Sequence, residues 1–375
     1  MRERYASLDA LRGLAAMTVV ICHALLCLTW FTGGANPELQ PPQAWVSIID
    51  RTPLHAVYAG GEAVIVFFVL SGFVLTLPFL SGPPRFAAWL AYYPKRVMRL
   101  YAPVAAAVAL ALILVLLVPR VTSSLATWWV NAHDVPVGLR NILREVTLLQ
   151  GSGRYNSVLW SLQWEMYFSL ALPFYIWLGR RLRRHWLMDA AGFLALSVAG
   201  GTLGNDYLKY LPIFGIGVML AFGREGIAAW ATDGRARWTA LAALGAFTVL
   251  WGTPRAAGIS EWPLLLLAAS LAVVAFLVWR PALELANVRC VQWLGARSFS
   301  LYLVHEPMVV SAAVLAPPAW REAAVAVGIV VALCLTEVFF RVVEEPSRRA
   351  ASRLGRSVQG WASRRRPGPE PVVVE

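Results

Sequence analysis

The chain has 375 residues, of which 58% are hydrophobic and 14% charged, so a water-soluble globule of this length would have too few charges to cover its surface. The net charge of +12 is distributed between apolar runs rather than gathered into one domain, which excludes a nucleic-acid-binding module and marks one side of a membrane instead. No soluble domain of ordinary size fits between the runs.

Apolar runs of about 17 to 25 residues, the length that crosses a hydrocarbon core, recur along nearly the whole sequence. They predict an all-α, polytopic membrane helical bundle of about ten transmembrane helices, at roughly 8–30, 62–80, 100–118, 157–178, 187–203, 207–223, 238–253, 262–279, 298–316 and 322–342. The first, Leu8 to Phe31, is too long for a cleavable signal peptide and is read as retained. With the amino terminus in the cytosol, 25 of the 33 Lys and Arg residues fall on inward segments. That asymmetry favours an even number of spans with both termini cytosolic. The outward loops at 32–61 and 119–156 carry Trp, Pro and Gly and are expected to form short interfacial helices. Residues 1–350 are expected to make the membrane domain, and the basic, Pro-rich segment 351–375 a disordered cytosolic tail. Cys22, Cys27, Cys290 and Cys334 have no metal-ligand spacing and read as small core hydrophobes, so no metal is expected.

Ionisable side chains inside spans are expensive, and each is a functional hypothesis until a structural partner explains it. In the first helix, eleven residues separate Arg12 and His23, about 20° beyond three full turns, so the two share one face about 16 Å apart along the axis. Asp9, three residues before Arg12, can pair with it. A snorkelling Arg and a hydrogen-bonded core His would give the same pattern. Ser71 and Gly72 in the second span are small enough for close helix approach. Arg96 and Arg99, three apart at the inner surface, suit either a phosphate or lipid headgroups. Glu165 must be protonated or paired in the fourth span; it could orient His23, bind an acceptor hydroxyl or hold helices together. Ser161 lies one turn from it and Tyr167 two residues on. In the ninth span His305 and Glu306 lie near the middle ahead of Pro307, whose missing N–H frees a carbonyl and, with two polar side chains at one depth, suggests a lined cavity. These residues would furnish a His-based acid/base centre behind a basic cytosolic mouth. Walker, dinucleotide, Gly-x-Ser-x-Gly and metal signatures are missing.

Six motifs in order resemble the membrane-bound acyltransferase family 3: Ser7-Leu-Asp9-x-x-Arg12-Gly with His23; Phe67-Phe68-Val69-Leu70-Ser71-Gly72-Phe73; Arg96-x-x-Arg99-Leu-x-x-Pro; Leu159-Trp160-Ser161-Leu-x-x-Glu165-x-Tyr167; Ser300-Leu-Tyr302-Leu-x-His305-x-Pro307; and Glu345-Pro346. The similarity spans about residues 5 to 346. It implies an O-acyltransferase of the bacterial inner membrane, with acyl-CoA, most commonly acetyl-CoA, as co-substrate and no bound cofactor. The acceptor would be a hydroxyl of a carbohydrate or another small or lipid-linked molecule. Its partners would then be donor, acceptor and lipid bilayer, with no nucleic acid. The resemblance further implies His23, Arg12 and Glu165 as catalytic residues, Arg96 and Arg99 at the donor, and Asp9, Ser71, Ser161, Tyr167, Tyr302 and His305 around the site. A secondary transporter using the same ionisable residues is the alternative from another class. A purely structural scaffold would leave the buried charges unexplained.

Overall fold

A computed structural model describes residues 6–50, 52–82, 86–149, 153–232, 234–239, 242 and 261–364. Among them are helices and connecting loops and no β-strand. The principal helices are α1 (Ala6–Leu26), α2 (Gly60–Thr76), α3 (Phe86–Leu117), α4 (Leu139–Thr147), α5 (Leu159–Leu182), α6 (Trp186–Thr202), α7 (Asp206–Phe222), α8 (Trp262–Val278), α9 (Arg289–Leu315), α10 (Arg321–Phe339) and α11 (Glu345–Arg364). Among the described residues, five helical stretches are long and apolar enough to cross a membrane: 6–26, 60–79, 86–117, 289–315 and 318–361. A sixth forms if Asp206–Phe222 and the helix after it, bent by 62°, count as one span. The expected span at 238–253 lies almost wholly outside the described residues.

Two helices begin well before the expected spans. α3 starts at Phe86 rather than near residue 100, and α9 at Arg289 rather than near 298. Polar residues at an interface move a helix out of the hydrocarbon without ending it, so hydropathy marks the membrane boundary and not the helix boundary. The same reasoning corrects the tail. α11 runs to Arg364, so residues 351–364 are helical and a boundary at 350 would cut a helix. The composition is that of a disordered segment, yet Glu345–Arg349 at 2.5 Å and Glu344–Arg348 at 3.8 Å supply i,i+4 pairs. Ala351, 1% exposed, and Gly355, close to Ala91 and Lys95, dock the helix on α3. Residues 365–375 are outside the described residues. Of the cysteines, Cys27 is buried, while Cys290 and Cys334 face outward and are not core residues.

α1 packs between α9 and α2, and α2 in turn against α7. With little hydrophobic drive between helices in lipid, close backbone packing carries much of the association. Gly13 faces the backbone of Gly295 so closely that a Cβ on either would overlap the other helix, and Gly72 meets the Phe214 carbonyl in the same way. Gly295→Val is therefore expected to lower the melting temperature sharply and the folded yield in detergent. Overpacking typically costs about 1–3 kcal/mol, and backbone overlap puts this site at the upper end. Gly61→Ala, whose Cβ meets open space, is expected to leave both unchanged.

Candidate active site

A cavity of about 1650 Å³ opens among α1, α2, α3, α5, α9 and α11. Asp9, Arg12, Ser71, Arg96, Arg99, Ser161, Glu165 and Tyr302 all line it. Cations outnumber anions on its walls: Arg12, Lys95, Arg96, Arg99, Arg224, Arg348 and Arg356 face Asp9, Glu165, Glu225 and Glu344. Such a surplus raises the local concentration of an anionic ligand.

Several of these charges are already paired. Asp9 accepts from Arg12 at 3.1 Å. Glu165 accepts from the Arg96 guanidinium at 2.5 Å and from Ser71 Oγ at 3.3 Å, while Arg96 Nε reaches Ser169 Oγ at 2.9 Å. Of the three roles open to Glu165, the observed bonds are those that hold α2, α3 and α5 together; its partner is Arg96, not His23. Arg96→Gln would leave that carboxylate uncompensated, and the expected loss lies toward the lower end of about 3–5 kcal/mol, because Glu165 retains some access to the cavity. Thermal unfolding of Arg96→Gln beside Arg96→Gln/Glu165→Gln checks this, the double variant being expected to recover most of the loss.

A second polar cluster lies deeper, around α9. Pro307 has no N–H to offer Leu303, and the freed carbonyl accepts from Asn156 Nδ2 at 2.8 Å. His305, fully buried, places Nδ1 2.9 Å from the Leu301 carbonyl and Nε2 3.0 Å from His23 Nδ1. A carbonyl can only accept, so His305 carries its proton on Nδ1 and presents a lone pair at Nε2. His23 must then donate from Nδ1, and the neutral ring keeps its own lone pair on Nε2. The His23 ring packs between His305 and Trp129, each with centroids 5.1 Å away.

Glu306 lies beside this pair with Oε2 3.8 Å from His23 Nδ1. It sits at the N-terminus of α5, where Ser157 N (2.9 Å), Ser157 Oγ (2.8 Å) and Val158 N (3.1 Å) donate to it. Four donors including His133 Nε2 at 2.6 Å, together with the positive end of the helix dipole, suit an ionised carboxylate. His133 also donates from Nδ1 to the Trp129 carbonyl at 2.9 Å. It reaches the interior from the loop between α3 and α4, which is fixed to α1 by the Thr127 hydroxyl bonding the Leu26 carbonyl at 2.9 Å. In α4, buried Glu145 accepts from the backbone N–H groups of Gly153 (2.7 Å) and Arg154. Burial pushes its carboxyl up from the usual range, and those N–H groups oppose the shift.

Neither His23 nor His305 lines the large cavity, which corrects their expected position on a common passage with Arg12. Tyr302 accounts for the separation. Its hydroxyl shares a 2.8 Å hydrogen bond with Ser161, its ring stands edge-on to Phe67 at 5.5 Å, and the His305 ring lies beyond it at 6.1 Å. Tyr167 also lies off the cavity, its hydroxyl bonded to the Leu149 carbonyl and its ring stacked on Tyr207 at 5.8 Å. Its two-residue offset from Glu165 turns it about 200° around the helix. Sequence reasoning missed His133 because it sits in a loop without periodic context, and missed the role of Ser157 because only the fold brings it to Glu306.

The class of protein is thus a multi-pass membrane protein with a cationic cavity ending one helical turn from a buried histidine pair. A family model described as an acyltransferase domain, that of acyltransferase family 3, matches residues 5–340. The chain belongs to that family of membrane acyltransferases. No curated protein and no solved structure matches it.

Proposed function

We propose that the chain transfers an acyl group, acetyl being the expected one, from acyl-CoA to a hydroxyl of a carbohydrate or other small or lipid-linked acceptor. The donor enters the cationic cavity from the cytosol, and His23 acts as general base. The observation that carries this reading is the hydrogen-bond chain from the Leu301 carbonyl through His305 to His23, which leaves His23 Nε2 as the proton acceptor. In the reaction, His23 Nε2 takes the acceptor's O–H proton while that oxygen attacks the thioester carbonyl carbon. The tetrahedral intermediate collapses with cleavage of the C–S bond, and the imidazolium returns the proton to the departing thiolate. Ionised Glu306 stabilises the imidazolium between these steps.

The reading requires the pantetheine arm to pass Tyr302, displacing its hydroxyl from Ser161. It also adopts ten spans with both termini in the cytosol of a bacterial inner membrane, on the strength of the Lys/Arg asymmetry. Membranes containing the protein are expected to release free CoA from acetyl-CoA only when an acceptor is supplied. A transporter would move substrate without cleaving the thioester, and that outcome would overturn the proposal.

A further inference from the structure

The cavity is built partly from residues beyond the family match. α11 and the turn before it contribute Glu344, Arg348, Ser352, Arg356 and Gln359 to its wall, all after residue 340, where the match ends. Positions 344, 348, 352 and 356 repeat every four residues and so form one helical stripe. A smaller cavity of about 600 Å³ continues along the same helix, lined by Arg348, Arg349, Arg353 and Arg356.

The pairing of the other cations makes this stripe significant. Arg12, Arg96 and Arg224 each have a carboxylate within 3.1 Å. Among the described residues Arg348 has only Glu344, at 3.8 Å, and that carboxylate already accepts from Ser300 N and Oγ. Neither Arg99 nor Arg356 has a carboxylate within 4 Å among the described residues. The surplus positive charge of the cavity is therefore concentrated where α11 meets α3, and not at Arg96. Eight residues separate Arg348 from Arg356, a rise of about 12 Å, so the two guanidinium groups can serve separate anionic groups of one elongated ligand.

We infer that α11 forms the phosphate-binding end of the donor site, with Arg348 and Arg356 joining Arg99 to hold the phosphates of a nucleotide-bearing thioester. The inference rests on the acyl-transfer reading. Guanidinium forks match phosphate oxygens bidentately, and a helix docked by Ala351 and Gly355 presents them in fixed register. Phosphate chemistry could also come from anionic lipid headgroups, which the test separates.

The test uses the full chain in phosphatidylcholine nanodiscs and measures binding of CoA and of pantetheine, which lacks the nucleotide and its phosphates. Arg356→Gln is expected to weaken CoA binding about tenfold, equivalent to about 1.4 kcal/mol, and Arg348→Gln/Arg356→Gln further. Pantetheine binding is expected to stay unchanged for both. Unchanged CoA affinity, or equal losses for CoA and pantetheine, would overturn the inference while leaving acyl transfer standing. Variants that bind CoA like wild type but lose binding to phosphatidylglycerol vesicles would assign the arginines to headgroups and also overturn it. Absence of CoA binding by the wild-type protein would instead remove the acyl-CoA reading on which it depends.

Discussion

His23→Ala is expected to lower acceptor-dependent CoA release by about 10²–10⁴-fold, the usual contribution of a positioned general base, in membranes that contain the protein at normal level. The affinity for CoA should be unchanged, because His23 does not line the cavity that holds the charged donor. The hydrogen-bond chain adds a finer expectation at His305. Glutamine there can offer a carbonyl oxygen to His23 Nδ1–H and preserve the tautomer, whereas alanine leaves that proton without an acceptor. His305→Gln should therefore retain more activity than His305→Ala at equal protein levels. Wild-type turnover in His23→Ala would remove the imidazole from the mechanism, and equal losses in the two His305 variants would reduce His305 to a packing residue.

The local part of this arrangement was legible in the sequence. Asp9 and Arg12 pair because three residues bring them to one helical face, and Gly72 packs against α7 because only a small residue permits that approach. Pro307 announced a freed carbonyl, and Leu303 is the one freed. Periodicity carries no information beyond a few turns, so it could not reveal that Glu165 would meet Arg96 rather than His23, or that a loop histidine would enter the bundle beside Glu306. Tyr302 is the clearest instance. Its place around the site followed from the family resemblance, but its closure of the cavity depends on Ser161 and Phe67 from two other helices. The helix at 351–364 is hidden in the composition for a related reason: its charges look solvated when counted, but their four-residue spacing and the small residues between them let a helix dock.

Glu306 is the residue whose replacement separates folding from chemistry. Glu306→Ala would leave His133 Nε2, Ser157 N and Val158 N without their shared acceptor in a fully buried site; removing one member of a buried charged pair typically costs about 3–5 kcal/mol, so this variant should accumulate poorly. Glu306→Gln keeps the volume, an oxygen acceptor for Ser157 N and His133 Nε2 and an amide that can donate to Ser157 Oγ, and should fold. What it loses is the charge 3.8 Å from His23 Nδ1. At an effective dielectric constant of about 20, unit charges at that separation interact by about 4 kcal/mol, an upper limit on the stabilisation of the imidazolium. The turnover number of Glu306→Gln is accordingly expected to fall by as much as about 10³-fold at the limit, with KM for acyl-CoA unchanged because Glu306 does not line the donor cavity. A double-mutant cycle with His133→Gln should be strongly non-additive, since both changes disrupt one network. A change confined to KM, or Glu306→Gln turning over at the wild-type rate, would assign the buried carboxylate to loop anchoring and leave the charge on His23 to be stabilised by some other group.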